Sequence, residues 1–194
     1  MLSLSVGSPV LIRTFKKESQ LELWVKKDHS EQYFLFRSYP ICYYSGDLGP
    51  KLQQGDKMTP EGFYAVTRQR LQPNSRFHLA LNIGYPNRYD RYHGRTGDLL
   101  MIHGACDAIG CFAMTNEQIE EIYYLVEQAL LNGQAAVPVH AFPFQLNATN
   151  MTLHEGHRWF DFWQQLKQGY DYFNQNHTPP TIDVVDGRYV ISRL

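Results

Sequence analysis

The sequence predicts an α+β domain, mainly β, with two or more flanking helices, and three observations lead there. Short apolar runs separated by polar or Gly/Pro breaks recur along the first hundred residues. Two longer segments, after Thr115 and around Trp159, instead carry apolar residues at helical spacing. No internal repeat, low-complexity tract or linker divides residues 1–194, so a single domain with a full core is expected.

Residues 9–15 (PVLIRTF) and 21–25 (LELWV) flank the polar KKESQ and predict a hairpin, with Arg13, Lys16 and Lys17 on its solvated edge. The run 33–44 (YFLFRSYPICYY) continues the strands. Pro40 has no amide for a ladder and asks for an edge position or a bend. Residues 45–62 (SGDLGPKLQQGDKMTPEG), rich in Gly and Pro, predict a long surface loop. FYAVT (63–67), HLALNI (78–83) and DLLMIH (98–103) predict further short strands. Between the last two lies a second long loop, GYPNRYDRYHGRTG (84–97).

Thr115 and Gln118 form a capping box, opening a helix whose buried face is Ile119, Ile122, Tyr123, Val126 and Leu130 and which stops at Gly133. Residues 135–142 (AAVPVHAF) predict a strand. Trp159, Phe162, Trp163, Leu166, Tyr170 and Phe173 form a second helical stripe, read as core. His154 and His157 belong to the approach to that helix. The chain closes as a hairpin, since Asp186-Gly187 suits a type I′ turn.

A net charge of −1 gives no global field toward nucleic acid or anionic lipid, and no apolar stretch reaches the length of a membrane span. The first ten residues lack a basic segment followed by an apolar one. The protein is therefore cytosolic, or a signal peptide has already been removed. Cys42, Cys106 and Cys111 are too few for a disulfide scaffold, and their odd number leaves at least one thiol free or paired between chains.

The stretch MIHGACDAIGCFAM, residues 101–114, gathers one histidine and two cysteines among small residues. A zinc site would need a further ligand, and no second CxxC or HxxxH pair supplies it, so no metal is expected. Buried cysteines are commonly inert. Cys111, however, follows Gly110 at the end of a Gly/Ala-rich turn and shortly precedes the capped helix, where small neighbours admit a substrate backbone. The amides of Gly110 and Cys111 could face a developing oxyanion. His103, at a strand tip before Gly104, could draw off the thiol proton and give a thiolate–imidazolium pair titrating well below the usual thiol value of about 8.5. Residue chemistry alone leaves packing thiol and nucleophile both open.

The pattern Met-Ile-His-Gly, short loop, Gly-Cys-x-x-Met resembles the catalytic signature of the YkuD family of L,D-transpeptidases. ALNIGYPNRYDRYHG, the Gly-Asp then Thr-Pro-x-Gly-x-Tyr segment, PFQLN and HRWFDFWQQLKQGYDYFNQNHTPP resemble the YafK-like branch, whose members include an amidase acting on peptidoglycan-linked lipoprotein. The resemblance spans roughly residues 8 to 192. It implies Cys111 as nucleophile, His103 as general base and Gly104 as the residue whose carbonyl orients the imidazole. The chain departs from widely studied transpeptidases in its eight-residue His-to-Cys spacing, in Ala108 in the turn, and in Phe112-Ala113 after the cysteine.

The resemblance further implies a periplasmic, cofactor-free enzyme acting on the meso-diaminopimelate of a peptidoglycan stem peptide through a thioester. Hydrolysis that detaches a linked lipoprotein is favoured over cross-linking. Tyr85, Tyr89, Arg91 and His93 in the second long loop are the expected substrate contacts, with surface decoration the alternative for each. Cys106 is expected to be an inert loop thiol, or to bridge reversibly to Cys111, and Cys42 to pack. The competing classes are a non-catalytic wall-binding module and a cytosolic zinc protein.

Overall fold

The computed structural model describes residues 5–107 and 109–192. Ala108 therefore lies outside the described residues. Strand β1 (Val10–Phe15) turns through Lys16–Ser19 into β2 (Gln20–Lys26), the antiparallel hairpin the polar break predicts. β3 (Tyr33–Pro40) pairs with β2 and forms the edge of the sheet, and Pro40 is its last residue, where a missing amide costs nothing. The short β4 (Tyr43–Tyr44) leaves for a second sheet. β5 (Gly62–Val66) returns to the first sheet and is followed by the 3-10 turn Arg68–Arg70. β6 (Leu71–Ser75), β7 (His78–Asn82), β8 (Met101–His103) and β9 (Phe112–Ala113) complete the second, in the order β4-β9-β8-β7-β6.

Helix α1 (Arg88–Tyr92) lies inside the second long loop, capped reciprocally by Asn87 and Asp90. Helix α2 (Asn116–Leu131) starts on the predicted Thr115–Gln118 capping box, and its five predicted apolar positions are all buried. β10 (Val137–Phe142) inserts between β1, to which it is parallel, and β5, giving the order β3-β2-β1-β10-β5. α3 (Ala148–Leu153) and α4 (Phe160–Asn176) follow, with His154 capping the end of α3 and the His157 ring stacked on Trp163 at 4.4 Å. β11 (Thr181–Val185) and β12 (Arg188–Ser192) form the closing hairpin, with Asp186 and Gly187 both at positive φ as a type I′ turn demands.

Every residue of β1 is buried because both faces of the first sheet are covered. One face meets the second sheet and α2 through Ile12, Leu23, Leu81, Ile102, Ile119 and Val126. The other meets α4 through Phe15, Phe142, Trp163 and Tyr170. The expected basic edge is corrected here: Arg13 and Lys16 point inward. Arg13 pairs with Glu22 at 2.8 Å, and Lys16 with Glu61 at 3.2 Å with both side chains fully buried. Glu61 also accepts from the Gly49 amide at 2.7 Å and the Trp163 indole at 2.8 Å, while Lys16 donates to the Gly49 carbonyl at 2.8 Å. The two ends of segment 45–62 are thus tied into the core, while its middle, 52–57, is largely exposed as a surface loop.

Candidate active site

His103 ends β8 and is locked from both sides, paired to Ala80 of β7 and Ala113 of β9. Its Nδ1 lies 2.7 Å from the Gly104 carbonyl oxygen. A carbonyl can only accept, so the proton sits on Nδ1 and Nε2 keeps a free lone pair. The Phe77 ring stacks on the imidazole at 4.4 Å and fixes its plane. A side chain on Gly104 would come within 2.8 Å of Asn116 Oδ1 and 3.0 Å of the Phe77 carbonyl, so the tight approach that aims the histidine requires glycine.

Cys111 enters β9 after Gly110, whose φ of +81° makes the turn. Its Sγ accepts from the Met101 amide at 3.3 Å and can donate its proton to the Leu99 carbonyl at 3.8 Å. Burial pushes the Cys111 thiol above its ordinary value, against the opposing pull of the Met101 amide and the Lys51 charge. Burial likewise lowers the His103 imidazole, opposed by the Gly104 carbonyl and Asp107. Both directions run against the expected low-titrating thiolate–imidazolium pair, because burial disfavours the charged form of each partner.

Cys111 and His103 share one cleft of about 610 Å³, bordered by Arg76, Phe77, Leu99, Asp107 and Ile109 among others. On the far side of Leu99 and Ile109 lies a separate cavity of about 150 Å³, bordered by Lys51, Lys57, Asp98 and Gly110.

The remaining expectations fare differently. The Gly110 amide donates to Ser45 Oγ at 2.7 Å, so this predicted oxyanion donor already has a partner. None of Tyr85, Tyr89, Arg91 or His93 borders the Cys111 cleft. Tyr85 is buried and donates to the Lys51 and Thr96 carbonyls, pinning the two long loops together. Tyr89 stacks on Tyr189 at 4.3 Å within the second core. Arg91 donates to the Pro86 carbonyl, and His93 bonds the Gly187 carbonyl at 2.8 Å. Tyr85 and Tyr89 fold inward as structural ties, while Arg91 and His93 stay exposed and away from the cleft. Cys106 bridges neither to Cys111 nor to nothing: it is bonded to Cys42, with Cα atoms 5.3 Å apart, and Cys111 stays free.

Ser45 and Thr59 are the contacts that sequence reading missed. Besides receiving the Gly110 amide, Ser45 Oγ donates to the Lys57 carbonyl at 2.5 Å. Thr59 Oγ1 accepts from the Ser45 amide at 3.1 Å and donates to the Cys111 carbonyl at 3.3 Å. The peptide carrying the thiol is therefore held on both sides by segment 45–62. The Thr-Pro pair within that segment was the available signal.

Residues 10–140 match the YkuD family, the L,D-transpeptidase catalytic domain. The chain belongs to this family. It is 55% identical over 188 residues to YafK of Escherichia coli (strain K12), a match spanning 97% of this chain and 76% of that one, and equally so to YafK of Escherichia coli O157:H7. The L,D-transpeptidase fold is also that of the helical cell shape determining protein Pgp2 from Campylobacter jejuni, at a TM-score of 0.54 and 18% identity over 92% of this chain and 73% of that one. Its K307A mutant gives 0.55 and 20% over 95% and 75%. The chain is an L,D-transpeptidase-type, peptidoglycan-processing enzyme of the YafK-like branch. Among the described residues no helix is long and apolar enough to cross a membrane, and no group of three or more His, Cys, Asp or Glu could hold a metal.

Proposed function

We propose that this L,D-transpeptidase relative is a periplasmic cysteine amidase that hydrolyses the bond between the meso-diaminopimelate of a peptidoglycan stem and an attached lipoprotein. The observation that carries the reading is the asymmetry about Cys111. The 610 Å³ cleft that Cys111 borders lies within the ordinary range for a site holding one ligand, while the 150 Å³ cavity beyond Leu99 and Ile109 does not reach the sulfur, which favours one bound stem at a time. Water then meets the acyl-enzyme unopposed.

A pair whose charged forms burial disfavours fits general-base catalysis. His103 Nε2 takes the Cys111 proton as sulfur attacks the amide carbonyl carbon. The tetrahedral oxyanion is met by the Cys111 backbone N–H, and the imidazolium returns its proton to the leaving amine as the carbon–nitrogen bond breaks. His103 next removes a proton from water as it adds to the thioester, and the proton returns to sulfur when the carboxylic acid departs. Gly104 keeps the Nδ1 proton in place throughout. No cofactor enters any step. The Cys42–Cys106 disulfide supports an oxidising compartment, as the periplasm is.

Sacculi carrying covalently bound lipoprotein test the proposal. Released lipoprotein in the supernatant of wild type, absent with Cys111→Ala, is expected. Attachment or cross-linking in its place would support the transpeptidase alternative, and binding without any turnover would point to a wall-binding module.

A further inference from the structure

The cleft holds two opposite charges that the chemistry above does not use. Arg76, exposed on the turn between β6 and β7, lies with its guanidinium 4.8 Å over the Phe77 ring, the ring that itself stacks on His103. Asp107 borders the same cleft from the loop before Cys111, near enough to act on the His103 charge. Neither forms an ion pair among the described residues, although many other charged side chains here do.

The ring contact holds the Arg76 guanidinium at the border of the cleft, and its planar fork matches a carboxylate. A purely anionic ligand would be opposed by Asp107, and a purely cationic one by Arg76. A group carrying both charges satisfies each. Beside these charges and the Cys111–His103 pair, the cleft is bordered by apolar Phe77, Leu99, Met101 and Ile109 and by the neutral Gln72 and Ser75. Such a wall suits a methylene chain. One ligand shape follows: an acyl carbon at Cys111, a short aliphatic spacer, and an amino-acid end with its carboxylate and ammonium free.

We propose that Arg76 and Asp107 are the specificity-determining pair of the cleft, Arg76 receiving the carboxylate and Asp107 the ammonium at the free end of the substrate's diaminopimelate. This rests on the proposed stem-peptide substrate. It explains how an acyl group is chosen when the sulfur and imidazole discriminate little between amides.

Calorimetric binding in a Cys111→Ala background, where ligand stays unreacted, tests the pair. Three probes are a diaminopimelate tripeptide, the same peptide with its free-end carboxylate amidated, and the same peptide with its free-end amine acetylated. Arg76→Gln should weaken the parent about 10- to 100-fold, the range of a charge-assisted hydrogen bond, while leaving the amidated peptide nearly unchanged. Asp107→Asn should do the same for the parent and spare the acetylated peptide. Arg76→Lys should retain part of the affinity, since it keeps the charge and loses the fork. Equal losses on parent and modified peptides, no loss at all, or no binding of any probe would overturn the inference. Turnover of the parent peptide by wild type is read separately: intact discrimination without turnover would sink the amidase reading and leave the recognition pair standing.

Discussion

The imidazole of His103 is held by the backbone carbonyl of its own neighbour, Nδ1 standing 2.7 Å from Gly104 oxygen. A base oriented by the residue beside it needs no third side chain. It does need the Gly104 peptide to stay where it is, and the Gly104 amide is anchored to the Leu79 carbonyl at 3.2 Å. His103→Ala should lower kcat/KM by about 10²- to 10⁴-fold, as loss of a general base does, with unfolding curves near wild type. A loss below tenfold in steady-state assays would remove His103 from the role.

Because burial raises the Cys111 thiol and lowers the His103 imidazole, free enzyme should be slow to alkylate at neutral pH. The rate of iodoacetamide labelling at Cys111 should climb only above the ordinary thiol range. A plateau reached below pH 7 would show an ion pair in the resting enzyme.

Ser45→Ala removes the acceptor of the Gly110 amide and leaves that buried N–H unpaired, a cost of about 1–3 kcal/mol. Stability should fall by that amount in urea titrations. Because the peptide holding the thiol loosens, kcat should fall more than KM rises. Unchanged kcat would confine Ser45 to a folding role.

Cys42 and Cys106 are 64 positions apart, so their bond closes a long loop across the catalytic turn. Cys42→Ala, Cys106→Ala and the double variant should all lose about the same stability, about 2–5 kcal/mol, because each removes one cross-link. Thiol titration of unfolded, unreduced protein should find one free sulfhydryl. Three free sulfhydryls would contradict the pairing.

Burial and the nearby Arg13 charge push the His140 imidazole down to about 3. A lowered folded value means that stability is fully present above the unfolded value of about 6.5 and is lost as pH falls toward 3. His140→Phe should flatten the decline in unfolding free energy between pH 6.5 and 4. An unchanged slope would place the acid sensitivity in other groups.

Where local chemistry decides an element, it was legible in the sequence. The Thr115–Gln118 box starts α2, Asp186-Gly187 makes the last turn, and Pro40 lies on an edge strand. β6 escaped because Pro73 and its polar neighbours show no alternation, and its pairing to β7 shifts register between Gln72 and Ser75. α1 escaped because its five residues sit between Gly84 and Gly94. The residues that the proposal makes nucleophile and base, Cys111 and His103, stand out in the sequence by the small residues around them. The inward turn of Tyr85 and Tyr89, the Cys42–Cys106 bond and the bracing by Ser45 and Thr59 depend on partners brought together by topology, to which local pattern is blind.

The central claim is that water, and no second stem, resolves the acyl-enzyme. Lipoprotein-bearing sacculi supplemented with purified tetrapeptide muropeptides, treated in heavy-oxygen water and read by mass spectrometry, test it most directly. The account predicts freed diaminopimelate stems carrying one heavy oxygen at the former amide carbonyl, with stem-to-stem dimers no higher than in the Cys111→Ala control. Accumulation of dimers, with no heavy oxygen in the released stems, would contradict it.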